Sequence, residues 1–165
     1  MEKSKMKLFT SFEGRISRKS FWFGLLVIIA LSIVVSWALL PLALSGGIGI
    51  QLLLFALSFA LLYPMVAVAV KRLHDRNKAA VPWAIIFFAP GVLANFLSTF
   101  KIGYSTIELV GQQIPVPGTA AYIVLLLAMV AGLWMLIELG FLRGTKGTNQ
   151  YGEDPLAANM SPQTV

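Results

Sequence analysis

Three long stretches of this chain carry no charged residue: Ser20 to Val70 (51 residues), Ala79 to Phe100 (22) and Leu109 to Ile137 (29). Uncharged runs of this length are the mark of helices that cross a membrane. A helix needs about 20 mostly apolar residues to cross about 30 Å of hydrocarbon. The first stretch is more than twice that length and must fold back on itself. Pro41 and the run Ser45-Gly46-Gly47-Ile48-Gly49 supply the turn chemistry. Four spans are therefore predicted, over about 21–44, 48–70, 79–100 and 120–142. The fold class is an all-α integral membrane bundle. Ala43-Leu44-Ser45 fits a small-x-small cleavage site, but a 24-residue apolar run exceeds a signal peptide's core, so this segment reads as a span.

Composition agrees. Of 165 residues, 58% are hydrophobic and 12% charged, about half the charge of an ordinary soluble domain. Cysteine is absent, which removes disulfides, thiol nucleophiles and Cys-based metal sites. The basic residues divide unevenly between the connecting segments. Lys3, Lys5, Lys7, Arg15, Arg18 and Lys19 precede the first span. Lys71, Arg72, Arg76 and Lys78 follow the second, Arg143 and Lys146 follow the fourth, and Lys101 alone lies between the third and fourth. With four spans this places twelve positive residues on one side and one on the other. The positive-inside rule then puts both termini in the cytoplasm.

The chain divides into a basic amphipathic arm (1–20), the membrane domain (21–142) and a Gly-rich tail (143–165), expected to be disordered after about 155. The outer segment 101–118 places β-branched residues on both sides of Gly111, which suggests a small hairpin. Pro115 and Pro117 are expected to limit its pairing. Small residues at i and i+4 (Ser32/Ser36, Ala56/Ala60, Ala128/Gly132) are candidate helix contacts. Phe21, Trp22, Phe23, Trp83, Tyr104 and Tyr122 lie near span ends, as interfacial aromatics do.

Polar chemistry gathers in three segments on the basic side. In the first, Ser17 is a candidate N-cap for the first span, between Arg15 and Arg18. The second, Lys71–Lys78, holds the chain's single histidine, His74, beside Asp75. The third carries glycines at 144, 147 and 152 with Asn149 and Tyr151. Arg15, Arg18, Arg72, Arg76 and Lys78 can form a phosphate cradle, or simply orient the spans. His74 and Asp75 suit an acid–base pair or a latch in which Asp75 pairs with Arg15 or Arg18 and His74 bonds the Gly-rich turn. The latch, or a headgroup contact, is the preferred reading, because basic loops beside spans commonly meet lipid headgroups. Glu138 is the one acid inside a predicted span, and Lys71, Arg72 and Arg143 are its candidate partners.

The ordered patterns F-x-G-R-x-S-R-x-x-F-W, R-L-H-D-x-N-K and G-T-x-G-x-N-x-Y-G-x-D-P, from Phe12 to about Pro155, resemble the bacterial membrane-protein family catalogued as domain of unknown function 805. Where that family has Ser-Gly-Trp after the basic loop, this chain has Ala79-Ala80-Val81-Pro82-Trp83, which weakens any role for a hydroxyl there. The resemblance implies a small bacterial inner-membrane protein and no particular reaction.

The leading functional expectation is a non-enzymatic binding or scaffold protein. It would engage anionic lipid headgroups, or a membrane-protein partner, through Arg15, Arg18, Arg72, His74, Asp75, Arg76, Lys78, Asn149 and Tyr151. A second is an oligomeric transporter or channel component using Glu138, and a third a lipid-headgroup enzyme using His74 and Asp75. No cofactor or metal is expected, since one His and no Cys fall short of a ligand cluster. Nucleic acid is not expected as a partner, because topology already accounts for the basic residues. A homo-oligomer stays open.

Overall fold

The computed structural model describes residues 7–157. Lys3, Lys5 and most of the tail expected to be disordered lie outside that range. A helical turn at residues 7–10 precedes α1 (Arg18–Ser45), α2 (Ile48–Asp75) and α3 (Ala80–Thr99). Strands β1 (Tyr104–Leu109) and β2 (Gln112–Pro117) follow, then α4 (Thr119–Met135), which continues as a π-helical segment, Leu136–Phe141. Among the described residues, four helices are long and apolar enough to cross a membrane.

Ser17 caps α1, its side chain accepting from the Ser20 N–H at 3.3 Å. Gly46 and Gly47 both take positive φ between α1 and α2, backbone that only glycine adopts without strain. Helix α2 runs five residues past Val70, where the predicted span ends. Those residues stay helical because Lys71, Arg72 and Asp75 find partners inside the protein, and the connection shrinks to residues 76–79.

The outer hairpin is paired along its whole length, from Leu109↔Gln112 to Tyr104↔Pro117, more than expected. Counted from the pair that closes the turn, Pro115 and Pro117 fall at non-hydrogen-bonded positions, where a missing N–H costs nothing. Val110 and Gly111 form the turn at φ 52° and 74°, and Gly118 N–H donates to Gly103 C=O at 2.8 Å where the hairpin joins α4.

Packing is concentrated at the end opposite the hairpin. The core joins Phe21, Leu25 and Ile28 of α1 to Val68, Ala69 and Leu73 of α2, Phe87 of α3, and Met135 and Leu139. The close approaches differ from the expected small-residue pairs. Ala56 and Ala60 are exposed, and a Cβ on Gly132 would meet nothing. The tight contacts are Gly24 against Val68, and Gly140 against the Trp22 ring. Phe21 is fully buried and Trp22 donates to Gly140 C=O at 3.2 Å, so both are packing residues rather than interfacial anchors.

Candidate functional site

Asp75 organises the polar end of the bundle. It is 3% exposed, and one carboxylate oxygen accepts from Arg15 Nε at 3.2 Å while the other pairs with Arg72. Its backbone C=O accepts from the Thr145 N–H and hydroxyl, at 2.8 and 2.9 Å. A carboxylate this deeply buried is stable only when paired and hydrogen-bonded, and here both conditions hold. Gly144 lies against it so closely that a Cβ would collide with the carboxylate.

Arg15 fastens the tail. One terminal nitrogen donates to the C=O of Gly147 (2.7 Å) and Gly152 (3.0 Å), the other to Thr145 C=O (2.7 Å). The turn is fixed further by Asn149, whose amide donates to His74 C=O and to Thr145 Oγ1, both at 2.9 Å. Backbone N–H groups of Leu156 and Gly147 hold the Asp154 carboxyl below its usual range. That tie therefore persists above the ordinary carboxylate range and is lost as pH falls through the lowered value.

The end of the fourth span explains the arginines. A helix leaves its last four carbonyls without intrahelical partners. Here Leu139, Gly140, Phe141, Leu142 and Arg143 each receive a side-chain donor instead. They come from Arg72 (2.8 Å), Trp22 (3.2 Å), Arg18 (3.1 Å), Arg72 again (2.6 Å) and Arg76 (3.0 Å). Cations at a helix C-terminus are also favoured by its dipole. Among the described residues no buried side-chain nitrogen or oxygen lacks a partner.

All nine expected site residues thus share one rim, with several partners exchanged. Asp75 takes Arg15, as expected, together with Arg72; Arg18 goes to Phe141 C=O. His74 does not hydrogen-bond the Gly-rich turn through its ring. Its Nδ1 lies 3.3 Å from Gly14 C=O, and the ring stacks on Tyr151 with centroids 3.9 Å apart. Glu138 pairs with Arg76 (2.7 Å) and Lys78 (2.6 Å) rather than with Lys71, Arg72 or Arg143. Lys78 also sits 3.8 Å over the Trp83 ring. Adjacent helical residues diverge, so Asp75 faces the arginines and His74 faces Tyr151, and the two form no dyad. No group of three metal-ligating side chains occurs among the described residues.

Lys71, Thr145 and Trp22 also belong to this rim, through contacts not expected from the sequence. Lys71 donates to the C=O of Lys7 and Leu8, at 2.6 and 2.5 Å, and so ties the N-terminal arm to α2. A lysine directly following the predicted end of the second span was the available signal.

The fold and rim define a multi-pass α-helical membrane protein closed at one end by a hydrogen-bonded polar latch. Residues 9–153 match the family described as "Protein of unknown function (DUF805)", and the chain belongs to that family. It is 35% identical over 150 residues to the Escherichia coli K12 protein described as "Uncharacterized protein YiiR", covering 87% of this chain and 85% of that one. It is 24% identical over 152 residues to "Inner membrane protein YhaI" of the same strain, covering 92% of each. No solved structure matches the chain significantly.

Proposed function

We propose that this protein is a non-enzymatic scaffold of the bacterial inner membrane, with both termini in the cytoplasm, whose polar rim engages anionic lipid headgroups. The membrane assignment draws on the relative named as an inner membrane protein and on the four apolar helices. The orientation rests on the charge asymmetry of the loops.

One observation carries the headgroup reading: the rim's basic residues fall into two populations. Arg15 and Arg72 are enclosed and bonded to their own chain. Arg18, Lys19, Arg143 and Lys146 surround them with exposed side chains. A rigid latch ringed by exposed cations at headgroup level suits attraction to anionic lipid. The separate orientations of His74 and Asp75, and the placement of Glu138 at the rim between two cations, give the enzyme and transporter readings no matching support.

Native mass spectrometry of the full chain released from mixed-lipid nanodiscs tests the proposal. Preferential retention of phosphatidylglycerol or cardiolipin over phosphatidylcholine, reduced when Lys19, Arg143 and Lys146 are all changed to Ala, is the expected result. Equal retention of both lipid classes by the wild type would overturn it. Because the chain lacks cysteine, single-cysteine labelling reads the orientation directly. Gln150→Cys should react from the cytoplasmic side only, and Val110→Cys from the opposite side.

A further inference from the structure

Between the N-terminal arm and the start of α1 lies an open groove of about 1030 Å³. Its polar lining includes Lys7, Lys19, Lys71, Ser17 and Ser20, with Glu13 exposed at its edge. Lys71 is the unusual member. It is 4% exposed, yet no carboxylate pairs with it among the described residues, unlike Arg15, Arg72, Arg76 and Lys78. An ammonium has three protons, and two are used by Lys7 C=O and Leu8 C=O. One donor and a whole positive charge remain beside the groove. The N-terminus of α1 adds to this, since its first turn holds no acidic residue to offset the helix dipole.

We infer that this groove binds the phosphate of an anionic headgroup, with Lys71 as the buried cation beneath it and Lys19 and Lys7 at its mouth. The inference rests on the headgroup reading above and gives it a location. Lys71 lies four residues before the end of α2, about 6 Å of helix rise, a depth that fits a headgroup phosphate. Leu8 and the exposed Phe23 continue the lining towards the apolar surface of α1. This offers an acyl chain a path that a free phosphate ion would not need.

The experiment compares wild type, Lys71→Met, Lys19→Glu and Lys146→Glu, all full-length. Retained lipid is counted by native mass spectrometry from nanodiscs containing phosphatidylcholine with phosphatidylglycerol. Lys146 is exposed on the tail outside the groove and matches the charge change of Lys19→Glu. Loss of a charge-assisted contact should lower retention of phosphatidylglycerol by about tenfold in Lys71→Met and Lys19→Glu, with a clearly smaller loss in Lys146→Glu, whose exposed charge is screened by solvent. Lys71→Met also frees the arm, so if it does not fold, Lys19→Glu carries the test alone. Wild-type retention with equal losses in Lys19→Glu and Lys146→Glu would refute the groove and leave the general rim reading standing. No preferential retention in the wild type would refute both. In a parallel arm, inorganic phosphate is added to protein in detergent. A rise in melting temperature that Lys19→Glu abolishes, without lipid retention in nanodiscs, would replace the lipid with a soluble phosphate compound and overturn the headgroup assignment.

Discussion

The two ends of this bundle are held by different forces. At the rim end, Asp75, Arg15, Arg72, Glu138 and their carbonyl partners form a continuous polar network, and the buried core residues of α1 and α2 lie just beneath it. At the hairpin end, α2 and α3 meet through edge-to-face aromatic contacts such as Phe55 with Phe96 and Phe100. The far half of α1 there turns Ile33, Val34 and Trp37 outwards. In lipid, apolar contrast contributes little to helix association, so close packing and hydrogen bonds have to supply it. Cohesion is therefore greatest where the polar groups are, and the apolar end is left free to adapt to lipid or to a second chain.

That contrast can be broken most severely at Arg72. Arg72→Ala leaves Leu139 C=O and Leu142 C=O without donors and Asp75 with one partner, and should cost about 3–5 kcal/mol, read from thermal unfolding in detergent. Arg72→Lys should recover little, because a point charge cannot reach all those acceptors at once. Next in size, Gly144→Ala forces a methyl group onto the Asp75 carboxylate and should cost about 1–3 kcal/mol in the same assay. Gly132→Ala, with open space around it, should be neutral or mildly stabilising. His74→Phe keeps a flat ring against Tyr151 but loses the Gly14 contact, and should cost about 1 kcal/mol. The hairpin should respond separately from the rim. Val110 is a β-branched residue at φ 52° and 95% exposed. Val110→Asn should stabilise the turn by about 0.5–1 kcal/mol, slow amide exchange in residues 104–117 and leave the rim melting unchanged.

The four spans and the convergence of three polar segments were legible in the sequence. Uncharged runs of 22 to 51 residues admit few other readings, and each polar segment abuts a span end on one side. Ser17 as N-cap was legible from its local sequence, whereas the partner of Asp75 was legible only as Arg15 or Arg18, and the fold selects Arg15. The partner of Glu138 was not. A π-helical segment runs through Leu136–Phe141 and departs from the 3.6-residue period on which any facing argument depends. The latch chemistry was hidden as well, because its acceptors are backbone carbonyls, and every residue has one. Arginines can be counted from sequence, but not the five consecutive carbonyls, 139 to 143, that receive side-chain donors at the end of the fourth span. The helix seam was missed because Ala56/Ala60 and Gly24 look equally suitable in one dimension, and only Gly24 faces Val68.

Hydrogen–deuterium exchange of the full chain in nanodiscs, wild type against Arg15→Ala, tests the latch most directly. Arg15 donates to Thr145, Gly147 and Gly152 as well as to Asp75. The account predicts that residues 144–152 are protected in the wild type and exchange at least about tenfold faster in the variant, as removal of charge-assisted contacts implies. Exchange in the hairpin, 104–117, should not change. A tail that remains protected without Arg15, or acceleration spread equally over both ends, would contradict the claim that the rim is the lock of this fold.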